Sequence, residues 1–161
     1  MSVVRDAVRG AVAGAAATWL MDRLTTGMLQ SQAPTVTARE QAAQRNGKSS
    51  VANLVDRFEA KTGVALPAKR RPMIENGVHY LLGIVPGAIY GVVRRRVPFA
   101  RIANGFGFGM AIFAVNDEYA NTALKLAGPP GAYPLQTHFR GLTGHAVLGM
   151  ATETGIVLLG G

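Results

Sequence analysis

The chain has 161 residues, enough for one domain, with 48% apolar residues, 20 glycines and no cysteine, which excludes disulfides, thiolate metal sites and thiol nucleophiles. A net charge of +8 suits an anionic partner, but a mean hydropathy of +0.18 is too apolar for an ordinary basic binding module. The basic residues gather at the ends of apolar stretches (Lys69, Arg70, Arg71; Arg94, Arg95, Arg96, Arg101) with no interleaved aromatics, which points to lipid headgroups and away from nucleic acid.

The first apolar stretch covers residues 9–30. Gly10, Gly14, Thr18, Asp22 and Thr26 follow one another at i+4 and so share a helix face. Arg5 and Arg9, an apolar run and the small residues Ala15 to Ala17 also fit a signal peptide; the segment is expected to be retained as a first span. Residues 31–71 are polar. Thr37 and Glu40 match a capping box and predict a helix start. Val51, Leu54, Val55 and Phe58, continued by Ala65 and Leu66, form an apolar stripe, with Asp56, Arg57 and Lys61 elsewhere. The region reads as one or two amphipathic helices at the bilayer interface, or as an extramembrane helical hairpin.

The second span is predicted over 72–93, opened by Pro72, whose missing N–H costs nothing at a helix start. Glu75, His79, Gly83, Gly87 and Gly91 line one face in a repeated small-xxx-small pattern that lets helices approach closely in lipid. Pro86 predicts a kink. The third span, 99–126, carries Gly105, Gly107 and Gly109, then Asn116, Asp117 and Glu118, and stops at Gly128-Pro129-Pro130-Gly131. The fourth, 135–159, places His138, Gly141, His145, Gly149 and Glu153 on one face. The expectation is an all-α, integral membrane four-helix bundle forming one domain. A soluble four-helix protein is the alternative, disfavoured because each mid-helix glycine costs a soluble helix ~1 kcal/mol. The arginines at 94–101 lie in a short loop and argue for both termini on the cytoplasmic side.

A duplication runs through this pattern. Gly10, Gly14 and Asp22 recur at constant spacing as Gly105, Gly109 and Asp117, and His79-x-x-Leu82-Gly83 recurs as His145-x-x-Leu148-Gly149. The bundle is then two parallel two-helix repeats. Asp22 and His79 each fall about 10 Å from the same membrane face, at 1.5 Å per residue, and Asp117 and His145 are placed likewise. Three readings follow. Each Asp–His pair satisfies itself and pins the bundle; or Asp22, His79, Asp117 and His145, with Glu75 and Glu153, form a proton or ion relay; or His79 and His145 hold a divalent metal or a haem, for which no compact ligand motif speaks. Gly10, Gly14, Gly83, Gly87, Gly91, Gly105, Gly109 and Gly149 are the expected packing positions. No Ser-His-Asp set, phosphate loop or dinucleotide fingerprint is present, so no catalytic residue and no cofactor is expected, and an enzyme is the least favoured class. Two classes remain: an accessory or packing subunit, set in the lipid bilayer against another membrane protein or a second copy of itself, and a proton- or ion-conducting or proton-responsive protein.

The stretch from His79 through Leu82-Gly-Ile-Val-Pro-Gly-Ala-Ile-Tyr-Gly91, Gly105 to Gly109, Gly128-Pro-Pro, and Gly144-His145 with Glu153 resembles the YagU-like family of small bacterial inner-membrane proteins of unknown function. The resemblance covers roughly residues 70–157, with an echo at Gly10 to Gly14. It implies four helices and a multi-pass location in a bacterial inner membrane. It carries no catalytic residue across, and Asp22 and Asp117 match no position of its pattern.

Overall fold

A computed structural model of the chain describes residues 2–97 and 101–161. The helices are α1 (Val3–Gln30), α2 (Pro34–Ala43), α3 (Ser50–Thr62), α4 (Arg71–Val93), α5 (Ile102–Ile112), α6 (Asn121–Ala123) and α7 (Leu135–Leu158), with a π-helical segment, Phe113–Ala120, joining α5 to α6. The described residues contain no strand.

Each long helix lies close to its expected limits, and the differences have local causes. α1 begins six residues early, because Asp6 complements the positive end of the helix in its first turn. α4 starts with Pro72 in its first turn and passes Pro86 without ending. The expected start of the third span at Phe99 lies outside the described residues. That span is also not one α-helix: it enters through left-handed backbone at Ala103, Asn104 and Gly105 and widens into the π-helix, which takes up Asn116, Asp117 and Glu118. The capping box at Thr37 is not a helix start. Pro34 opens α2 three residues earlier, Thr37 lies inside it, and Glu40 turns to Arg140. The working cap of the connection is Ser49, whose Oγ accepts from the Ala52 N–H at 3.1 Å. α3 stops at Gly63, which adopts φ 71°, so the apolar stripe does not continue in helix to Ala65 and Leu66.

α1 is the centre of the bundle and packs against α4 on one side and α7 on the other; α7 in turn packs against α5. Glycine sets both outer contacts. A methyl on Gly14 would sit 2.6 Å from the Gly83 carbonyl oxygen, and one on Gly10 would collide with the Gly87 carbonyl. On the other side, methyls on Gly105 and Gly109 would collide with the carbonyls of Gly149 and His145. Backbone therefore touches backbone along α1/α4 and along α5/α7. The buried interior is correspondingly thin in apolar bulk: one cluster joins Ala13, Tyr90, Phe108 and Ile156 with Ile112 against them, and Ala17, Val55, Leu126 and Leu148 are also buried.

Larger apolar side chains point out. Val12, Leu20, Leu24, Leu81, Val85, Ile89, Leu142, Met150 and Val157 are all exposed. Yet among the described residues only Ala68–Val93 is long and apolar enough, by length and composition, to cross a membrane. Among the described residues the other three expected spans fall short of that mark, and each carries charge within its helices: Asp22 and Arg23, Asp117 and Glu118, Arg140 and Glu153.

Candidate functional site

The duplicated pattern places the polar residues, and the two halves are out of register. Gly14 of α1 faces Gly83 and Gly87, whereas its counterpart Gly109 faces His145 and Gly149, which correspond to His79 and Gly83. Gly10 and Gly105 show the same offset: Gly10 faces Gly87 and Gly91, while Gly105 faces Gly149 and Glu153. The second helix pair has slid by one turn, about 5.4 Å.

That slip separates two otherwise matched aspartates. Asp22 Oδ1 meets His79 Nε2 at 2.8 Å, and both side chains are about one-third exposed. Asp117 instead comes opposite Gly141, one turn from His145; a methyl on Gly141 would lie 3.5 Å from Asp117 Oδ2. His145 Nδ1 is 3.6 Å from Asp117 and donates its proton to the Gly141 carbonyl at 2.9 Å. Asp117 accepts a 2.9 Å bond from Asn116 Nδ2. His145 itself is buried, with the Phe113 ring 5.7 Å away.

Toward the α7 N-terminus a second histidine pair completes this end. His138 Nδ1 contacts Glu118 Oε1 at 2.7 Å and Nε2 contacts the Pro130 carbonyl at 3.0 Å. Both ring nitrogens face acceptors, which only the doubly protonated ring satisfies. Arg140 reaches Glu40 of α2 and donates to Gln32 Oε1 at 2.8 Å. Burial works to raise the Glu40 carboxyl, but the bonds from Arg140 and Gln32 outweigh it and hold it below the usual carboxylate range. Between these groups and the α2–α3 connection lies a polar cavity of about 330 Å³ that reaches Asp117, Glu118, His138 and Arg140.

The two remaining expected members lie elsewhere. Glu75 is held by Arg71 at 2.9 Å, and Arg71 also grips Asp56 and Glu59, tying α3 to the start of α4. Glu153 stands two turns from His145, about 12 Å along α7, at the far end of the bundle. Its carboxylate is 3% exposed and accepts from Tyr90 Oη at 2.6 Å, from Arg94 Nε at 2.7 Å and from a second Arg94 nitrogen. Arg101 Nε lies 3.4 Å from it, and Tyr90 stacks on Phe108 with ring centres 4.3 Å apart. Between this ion pair and the Asp–His level, Gly105, Gly109 and Gly149 bring α5 and α7 into backbone contact.

Sequence reasoning missed the Tyr90–Arg94–Glu153 cluster, although Tyr90 and Arg94 stand at i+4 next to the glycine face of α4. It left His138 and Glu118 unpaired, because the π-helix that turns Glu118 toward α7 has no sequence signature. It had no access to Glu40–Arg140 or to Asn53, whose amide donates to the Leu126 carbonyl at 2.9 Å, since both contacts join distant segments. Among the described residues no group of three or more His, Cys, Asp or Glu side chains is arranged to hold a metal ion. No family model, no curated protein and no solved structure matches this chain, so none of these comparisons supports the expected resemblance to the YagU-like family.

Proposed function

We propose that this chain is a non-catalytic membrane subunit, a four-span bundle in a bacterial inner membrane whose lipid-facing sides support a larger assembly of its own or other chains. One observation carries the reading: the long helices bury Arg94, His145, Glu153 and the packing glycines and leave Leu81, Val85, Ile89, Leu142 and Met150 outside. In water that arrangement forfeits roughly 25 cal/mol for each Å² of apolar surface left exposed. In lipid the outer faces cost nothing, and close glycine contacts become the main source of helix association. Inside such a bundle a charge persists only with a partner. Arg94 and Glu153 have each other, and Asp22 has His79. α2 and α3 lie outside the spans, with Phe58 and Val64 exposed for the headgroup region.

The glycine waist is what separates a packing subunit from a conduit. Backbone contact at Gly105, Gly109 and Gly149 stands between the polar cavity and the Glu153 end of the bundle. A second reading, a proton-responsive protein, is favoured by the same cavity because it reaches Asp117 beside His145. Purified chain reconstituted into vesicles loaded with a pH-sensitive dye tests both. A packing subunit gives proton leak equal to empty vesicles under an imposed gradient. Leak that rises with protein and disappears in Asp117→Asn would replace the first reading with the second.

A further inference from the structure

Next to the polar cavity lies a larger chamber of about 700 Å³, lined chiefly by apolar side chains that include Met28, Phe113, Leu135, Phe139 and Leu142. The two share a wall formed by Phe113, Glu118, His138 and Arg140. Both volumes fall in the ~300–1,000 Å³ range of small-molecule sites. An apolar chamber abutting a polar one suits a molecule with a hydrocarbon chain and a polar head.

The charge balance of the polar cavity selects the head. Each cation on its wall already holds an acid of this chain: Lys48 holds Asp56 at 2.7 Å, Arg140 holds Glu40, and His138 holds Glu118 at 2.7 Å. Asp117 is different. Its carboxylate accepts from the neutral Asn116 amide, and the nearest base, His145, has spent its Nδ1 proton on the Gly141 carbonyl. The one-turn slip of the second helix pair produces this mismatch, since the matching carboxylate, Asp22, is bonded to His79. The cavity therefore presents one carboxylate whose nearest cationic group, His145, stands 3.6 Å away and makes no hydrogen bond to it, on a π-helical turn, a feature that recurs at functional sites. An ammonium group supplies a directly bonded positive charge, and donors beyond the one that Asn116 provides.

We propose that the two chambers form a single site for an amine-headed amphiphile, with its ammonium on Asp117 and its chain among Met28, Phe113 and Leu142. The source is either a membrane lipid such as phosphatidylethanolamine or a free long-chain amine. The inference does not depend on the chain spanning a membrane, because binding is read in detergent.

The test is calorimetric titration of the purified full chain in maltoside micelles, against blank micelles. Decylamine is expected to saturate one site. Decanoate, with the wrong charge, and butylamine, with no chain to fill the apolar chamber, are expected to bind at least tenfold more weakly. Asp117→Asn should weaken decylamine at least tenfold with helix content unchanged by circular dichroism, and Asp6→Asn, at the other end of the bundle, should leave binding unaltered. Competition by phosphatidylethanolamine in the same micelles identifies the lipid as the occupant; retained decylamine binding without competition identifies a free amine. The proposal is overturned if decanoate binds as well as decylamine, if no saturable heat appears, or if a folded Asp117→Asn chain binds decylamine as wild type does. Should that variant unfold, the comparison of decylamine with decanoate and butylamine on the native chain still decides the matter.

Discussion

Replacing Gly87 by alanine adds one methyl where α4 lies against α1. The new carbon would stand 2.5 Å from the Gly10 carbonyl oxygen and 3.0 Å from Gly14 Cα, where ordinary contacts begin near 3.4 Å. Both neighbours are backbone, so no side chain can swing aside, and the helices must part by about 1 Å. Overpacking of this kind costs ~1–3 kcal/mol. Alanine also favours helix over glycine by ~1 kcal/mol, which partly offsets the loss. Gly77, ten residues earlier on the same helix, isolates the packing component, because nothing lies within 4 Å of a methyl placed there. Gly77→Ala should match or exceed wild-type stability. Gly87→Ala should fall below it by ~1–3 kcal/mol relative to Gly77→Ala, roughly 2–12 °C in Tm at 2–4 °C per kcal/mol for a chain of this size. Thermal unfolding in detergent, followed by circular dichroism, measures the difference. Leucine at Gly83 or Gly87 should disrupt the bundle more severely. Equal melting of the Gly77 and Gly87 alanine variants would refute the glycine-contact account.

The remaining predictions concern charge. Glu153→Leu should destabilise by ~3–5 kcal/mol because it strands the buried Arg94 guanidinium, and the Arg94→Leu/Glu153→Leu double variant should recover much of that loss; a double variant no better than the single, measured by chemical denaturation, would contradict the pairing. Asp22 and His79 are partly exposed, so their coupling in a double-mutant cycle should be smaller, ~0.2–1 kcal/mol; a cycle with no coupling would show that the contact does not matter. Glu40 has its folded pKa below its unfolded value, so its contribution is present above the unfolded pKa and lost as pH falls through the folded one. Stability of the native chain should therefore drop in that acid window, and Glu40→Gln should remove part of that dependence; an unchanged acid limb would place the effect elsewhere.

The helices were legible because their signals are local. Glycines at i+4 marked the α4 face that meets α1, and the spacing of Asp22 and His79 anticipated a contact that forms at 2.8 Å. The sequence could not show the one-turn slip between repeats. Identical glycine spacing permits either register. The π-helix over Phe113–Ala120 was equally hidden, and it decides where Asp117 and Glu118 point. Glu153 looked like a fifth member of one polar face because it keeps the i+4 rhythm of His145 and Gly149, yet Arg94 of another helix claims it. Periodicity gave the face of each residue. Its partner came from tertiary packing.

The central claim is that the exposed apolar faces of α1, α4 and α7 lie in lipid. The chain has no cysteine, so any introduced thiol is unique. Leu81→Cys, Ile89→Cys and Leu142→Cys should resist a membrane-impermeant maleimide in sonicated native membranes and react once the protein is denatured in dodecyl sulfate. Lys61→Cys, on the exposed end of α3, should react in both states. Rapid labelling of Leu81→Cys, Ile89→Cys and Leu142→Cys in intact membranes, at the rate of Lys61→Cys, would place those faces in water and contradict the account.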